Sequence, residues 1–409
     1  MSRSSPHRVI ERALLGYVLV VIAVLTLSPF RFAWPAQWRV SFWGDVSDMP
    51  LNILLFLPVG YFFRLSLARE QRWAVPLALL FGTALSALVE TTQLFLPARL
   101  CSLADVIGNG AGAGAGAVLC VAVRRRFDRT LPSVLTLEHP LLNLVYLTVP
   151  LMWLTGIGVE REPARVWLLA PLGAMGALTL SGLWRYRFSA AAHLPRPALA
   201  GAVLGWFLFG SVTGVRFAPL VVAQCAAGIF LLTLLRLFVQ RGPRPAERRF
   251  EHLVLLTVWP CYLAYLSMLV LWPHHAPFEP FDLAFGYPER SFDRDFTLRI
   301  AEQLGALTLL GYLLAETFGR STRSSRALLA CNVALGALCA LLMEVGHGFL
   351  PFDRASVARW LLGTIGSAFG VTLYAAQMSV MQLLRGGPTN MPTAAGLHSR
   401  GSALNDSSR

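Results

Sequence analysis

Twelve stretches of this 409-residue chain are apolar over roughly twenty residues, the length a helix needs to cross the hydrocarbon of a bilayer. They fall at 13–30, 49–68, 73–96, 103–123, 140–158, 165–184, 198–215, 218–239, 252–272, 301–318, 325–348 and 356–378. Backbone N–H and C=O groups in hydrocarbon have no water to bond. Each run must therefore satisfy them internally, and a helix does so within one segment. The pattern predicts an all-α polytopic membrane protein. Composition agrees: 55% of residues are hydrophobic, 14% are charged, and the mean hydropathy is +0.57. The first run follows Arg3, Arg8 and Arg12 and looks like a signal peptide. It lacks a small-residue cleavage site and many spans follow, so it reads as an uncleaved first helix.

The arginines set the sidedness. The chain has no lysine, so all 35 basic residues are arginine, and the formal net charge is +13. With twelve spans and a cytoplasmic N-terminus, 24 arginines fall on the inner side and 11 on the outer. This is the bias that topology demands, and it puts both termini in the cytoplasm. Anionic lipid headgroups account for the rest of the positive charge, so membrane lipids are expected partners and nucleic acid is not. Six cysteines show no disulfide or metal-ligand spacing, and five of them lie inside apolar runs. His274 and His275, with Glu279 and Asp282, have no diagnostic metal spacing either. No metal or cofactor is expected.

Between Asp48 and Gly116, polar residues interrupt three successive runs. A charge at the centre of a membrane helix costs roughly 2.5–3.5 kcal/mol on insertion scales, so a group of them needs a common reason. The alternating topology places Asp48 and Asn52 at the outer end of the second span and Glu90 and Gln93 in the last turns of the third. Arg99 lies in the connecting turn, with Asp105 and Asn109 in the first turns of the fourth span. These seven residues are the candidate ligand-binding set, reaching one level in the outer leaflet. Glu90 and Gln93 share a helix face, as do Asp105 and Asn109. Each has a plainer reading. Glu90 could staple helices by bonding Asn52, Asn109 or a loop amide; Arg99 could neutralise Glu90 or Asp105; Asp105 could serve a helix N-terminus. Gly112 and Gly116 form a small-xxx-small pattern, and the glycines from 108 to 116 fit packing better than phosphate cradling.

A second copy is legible near the C-terminus. Val89 to Gly116 aligns without gaps on Met343 to Gly370. Glu90 matches Glu344, Phe95-Leu96-Pro97 matches Phe349-Leu350-Pro351, and Ser102 matches Ser356. Asn52 and Gly60-Tyr61 match Gln303 and Gly311-Tyr312 after a small shift. The copies begin eight spans apart and so are parallel repeats. Charge is rearranged in the second copy: Asp105 becomes Arg359, Asn109 becomes Gly363, Arg99 becomes Asp353 beside Arg354, and Gln93 becomes His347. Its candidate site residues are Glu302, Gln303, Glu344, His347, Arg354 and Arg359. The expected organisation is a four-helix unit over 1–125, a middle four-helix region over 126–250, a second degenerate unit over 251–384, and a disordered tail over 385–409.

On Asn52, Phe56, Pro58, Gly60, Glu90, Gln93, Pro97, Arg99, Asp105, Asn109 and Gly116, the chain resembles the VanZ-like family of bacterial integral membrane proteins. The resemblance covers about 15–125 closely and 255–378 loosely. It implies a multi-pass protein of the bacterial cytoplasmic (inner) membrane, tied to the cell envelope and to resistance against teicoplanin-type glycopeptide antibiotics. The expected function is binding of an amphiphile, or of a cell-wall or lipid-linked precursor, at the outer-leaflet site. Two alternatives stay open. One is a transporter or flippase of an envelope component, which polar residues confined to one depth, without matching inner-leaflet acids, argue against. The other is an intramembrane enzyme on a lipid-linked substrate with Glu90 or Asp105 as acid or base; no nucleophile–base pair or metal set supports it, and no catalytic residue is assigned.

Overall fold

The structure is a computed structural model describing residues 7–35, 37–38, 40–42, 49–67, 71–97, 99–127, 140–160, 162–185, 196–239, 247–271, 278–287, 293–319, 326–351 and 353–385. Asp48, His274, His275 and the tail beyond Arg385 lie outside these residues.

Helices occupy all twelve predicted positions. They are α1 (His7–Leu27), α2 (Met49–Ser66), α3 (Ala74–Gln93), α4 (Leu103–Phe127), α5 (Pro140–Gly158), α6 (Leu169–Leu183), α7 (Arg196–Gly210), α8 (Val212–Val215), α9 (Pro219–Val239), α10 (Glu247–Leu271), α11 (Arg294–Phe318), α12 (Arg326–His347) and α13 (Val357–Arg385). A 3-10 turn, Pro163–Leu168, leads into α6. Among the described residues ten spans are long and apolar enough to cross a membrane; the apolar parts of α1 and α7 are shorter. The chain is a multi-pass helical membrane protein.

Two predicted boundaries move. The span at 198–215 is broken at Ser211, whose hydroxyl donates to the Phe207 carbonyl at 2.8 Å, leaving α7 and the single turn α8. The span predicted to begin at residue 301 starts earlier, because α11 begins at Arg294. Asp293 caps that helix, its carboxylate accepting the Phe296 N–H at 2.8 Å. Polar residues in the first turns of α11 masked it from a reading that counts only apolar runs.

The N-terminal helices pack through their small residues. A Cβ on Gly60 would overlap the Ala113 carbonyl, and Cβ atoms on Gly112 and Gly116 would overlap the Ile53 and Leu57 carbonyls, so α2 and α4 approach backbone to backbone. The same contact recurs where Gly311 meets Ser367 on α13 and where Gly370 meets Thr308 on α11. At one end of each trio the chain forms a two-residue parallel ladder, too short for any periodicity in the sequence. β1 (Val40–Ser41) pairs with β2 (Cys101–Ser102), and β3 (Leu283–Ala284) with β4 (Ala355–Ser356).

The centre of the bundle is formed by α5 and α6 of the middle region with α10 and α11 packed on them. Of the spans, α5 is the most enclosed. Trp153 on α5 is fully buried, as are Tyr262 and Tyr265 on α10 and Tyr312 on α11, with α10 lying on α6 and α11 on α5.

Candidate functional site

The α3–α4 turn assembles the site. Glu90 is buried near the end of α3, and its Oε2 accepts the Ser102 N–H at 2.7 Å. That bond fixes the residue just before α4. The Ser102 hydroxyl in turn accepts the Asp105 N–H at 3.4 Å, capping the helix. Asp105 then lies within reach of α2, where Asn52 Nδ2 donates to its Oδ1 at 2.7 Å. Gln93 Nε2 donates to the Thr26 carbonyl of α1 at 3.0 Å, and Asn109 Nδ2 to the Ser86 hydroxyl of α3 at 2.8 Å. The stapling reading is therefore part of the answer: these polar groups tie α1, α2, α3 and α4 together.

They also surround a space. Asn52, Glu90, Gln93, Arg99, Asp105 and Asn109 all line one cavity of about 640 Å³, within the range of small-ligand sites. Two of them are not fully used by the protein. The Asn109 Oδ1 is buried without a hydrogen-bond partner. Arg99 makes no side-chain ion pair with the described residues, so it does not neutralise Glu90 or Asp105 directly. Burial and the nearby Arg294 pull its guanidinium below its ordinary pKa, against the opposing effect of Glu90 and Glu160. Cys101, next to the staple, has its thiol pushed up by burial and by Glu90.

The opposite wall was missed in the sequence. It comes from the middle region and from α11: Trp153, Ile157 and Glu160 of α5 and its end, Thr213 and Arg216 around α8, Phe217, and Arg294. Thr213 Oγ1 donates to the Trp153 carbonyl at 3.0 Å and docks α8 on α5. Ser28 Oγ donates to the Arg294 carbonyl at 3.3 Å and docks α11 on the end of α1. Arg294 stands 3.7 Å from Glu160. A usable signal existed, since the arginine count puts Arg99, Arg216 and Arg294 on the same outer side.

The second-copy candidates meet a different environment. Glu344 Oε2 accepts the Ser356 N–H at 2.9 Å, as Glu90 does from Ser102, and Ser356 Oγ accepts the Arg359 N–H at 3.1 Å. Here, however, the carboxylate is met by Arg359 Nε at 3.1 Å and by Gln303 Nε2 at 3.2 Å. Arg359 also reaches Asp353 at 3.0 Å and donates to the Arg354 carbonyl. His347 Nδ1 stands 2.8 Å from Asp353, and Arg354 pairs with Asp282 at 2.8 Å. Burial alone would raise the Asp353 carboxyl; His347 and Arg359 outweigh it and hold it at about 2. Glu302 does not join this group. It accepts from Thr155 at 2.7 Å and from Arg165 at 2.8 Å, beside a smaller cavity of about 310 Å³.

Residues 5–124 match the VanZ/LLP1 family model. The resemblance read from Asn52 through Gly116 holds over this segment, which contains all the N-terminal site residues. The VanZ-like segment ends before α5, so Arg216, Arg294 and Glu344 are features of the remaining chain. No curated protein and no solved structure matches.

Proposed function

We propose that this VanZ-like membrane protein binds an amphiphile, of the class of cell-wall or lipid-linked precursors, in the cavity between its N-terminal unit and its middle region. On this reading the N-terminal unit, with its termini-in topology, faces the cavity to the outer leaflet of a bacterial cytoplasmic membrane. A part in glycopeptide resistance would follow from the envelope ligand. One observation carries the reading: six polar residues of the family motif line a cavity whose other wall includes Trp153, Ile157 and Phe217. Such a lining suits a molecule with one polar and one apolar part. The C-terminal unit, a charge-rearranged copy of the first, is structural. The test is mass spectrometry of lipids co-purified with wild type and with Glu90→Gln and Arg99→Ala at equal membrane abundance. A specific amphiphile is expected in wild type and is lost from both variants. Bulk phospholipid identical in all three would reduce the motif to helix stapling.

Transport of the same ligand is a second reading, and one observation favours it. Buried acids do occur at the opposite level: Glu11 on α1, 4.0 Å from Arg124, and Glu316 toward the far end of α11. The sequence reading overlooked them because each sits near the end of its helix. Flux across proteoliposomes that disappears in Glu316→Gln while binding persists would select transport over binding alone.

A further inference from the structure

We propose that the cavity recognises a phosphate group on the amphiphile, held by Arg99, Arg216 and Arg294; this rests on the amphiphile reading above and names its headgroup. Three guanidiniums reach one cavity from separate segments: the α3–α4 turn, the α8–α9 junction and the first residue of α11. Bringing like charges together in a half-buried site is unfavourable unless an anion joins them. Of the charged groups around Arg99, Arg294 is the one that opposes its cationic form.

Acids share the cavity: Glu90 accepts the Ser102 amide, Asp105 accepts from Asn52, and both favour the cationic form of Arg99. Glu160 meets Arg294 at 3.7 Å through Nη1 only, and the Arg294 Nε is buried with no hydrogen-bond partner. Arg99 has no ion pair among the described residues. The Arg294 Nε is thus a buried donor left unanswered, a state that is costly without an incoming acceptor. Guanidinium forks match the oxygen pairs of phosphate and carboxylate alike. Three guanidiniums reaching one pocket from separate segments suit the several oxygens of a phosphate better than the two of a carboxylate. The apolar wall excludes the simplest inorganic-ion site and leaves room for the first carbons of a chain.

The experiment uses the full chain in nanodiscs of zwitterionic lipid. Its probes are dioctanoyl phosphatidic acid, dioctanoylglycerol and inorganic phosphate. Phosphatidic acid should bind wild type about tenfold or more tighter than the uncharged diacylglycerol, as charge-assisted hydrogen bonds imply. Arg216→Gln and Arg294→Gln should each weaken it by about tenfold, Arg216→Lys should restore part of the loss, and Arg299→Gln should leave it unchanged. Arg216 is exposed, so its variants test binding without threatening the fold. Equal binding of both lipids, indifferent to the arginine variants, would overturn the phosphate inference and leave the amphiphile reading standing. Inorganic phosphate that binds as tightly as phosphatidic acid would uphold the arginines and overturn the lipid source. Failure of both lipids to bind wild type would overturn both readings.

Discussion

At the α3–α4 turn Glu90 holds the Ser102 amide, and at the α12–α13 turn Glu344 holds the Ser356 amide; in both, that serine hydroxyl then caps the following helix. The backbone task of the glutamate is the same in the two regions. What differs is where the positive charge sits. In the C-terminal region Arg359 lies on the helix, bonded to Glu344 and Asp353. In the N-terminal region that helix position is Asp105, and the arginine has moved to the turn, where Arg99 faces the cavity without an ion pair among the described residues. The comparison separates two roles that a motif alone merges. A glutamate can be kept for the fold in both places while only one arrangement leaves donors for a ligand.

The strongest way to break this contrast is to install the C-terminal charges in the N-terminal site. Arg99→Asp with Asp105→Arg should satisfy Glu90 as Glu344 is satisfied and weaken lipid retention by about tenfold or more, through the loss of the Arg99 contact. The measurement is co-purified lipid per protein, with unfolding followed in parallel to show that the fold survives. Next is Glu344→Leu, which leaves Arg359 buried without this partner and should cost about 3–5 kcal/mol in reversible unfolding. Glu90→Gln retains an acceptor for Ser102 and should cost about 1 kcal/mol. A similar loss for the two would erase the distinction.

Smaller effects sharpen it. Gly116→Val and Gly370→Val should each destabilise by about 1–3 kcal/mol, because the helix contacts they disturb are alike even though the sites are not. A lasting inequality in unfolding free energy would argue against equivalent packing. Acid should act on one region. Asp353 is held at about 2 against an ordinary 3.8, so the stability it contributes is present above about pH 4 and is lost as pH falls toward 2. That contribution is about 2 kcal/mol from the size of the shift. Asp353→Asn should remove it at neutral pH and flatten the unfolding profile between pH 4 and 2. Arg99, at the matching N-terminal position, offers no such response.

Much of this was legible from residues. Long apolar runs located the helices, and the spacing of Asn52, Glu90, Gln93, Asp105 and Asn109 anticipated that they would face a common space. Local patterns stop there. Arg216 and Arg294 join the site only because Thr213 docks on α5 and Ser28 on α11, contacts that span 60 and 266 residues and leave no periodic trace. One predicted span is interrupted at Ser211, whose backbone leaves the helical conformation there, a break hydropathy does not register. Glu302, a candidate of the second-copy site by its place beside Gln303, is captured by Arg165 of the middle region.

The most direct measurement is a cryo-EM map of the full chain purified in its native lipids. The account predicts elongated non-protein density in the cavity bounded by Arg99, Arg216 and Arg294, with Arg359 still paired to Glu344 and Asp353. A well-resolved cavity without ligand density, or density seated at Glu344 instead, would contradict it.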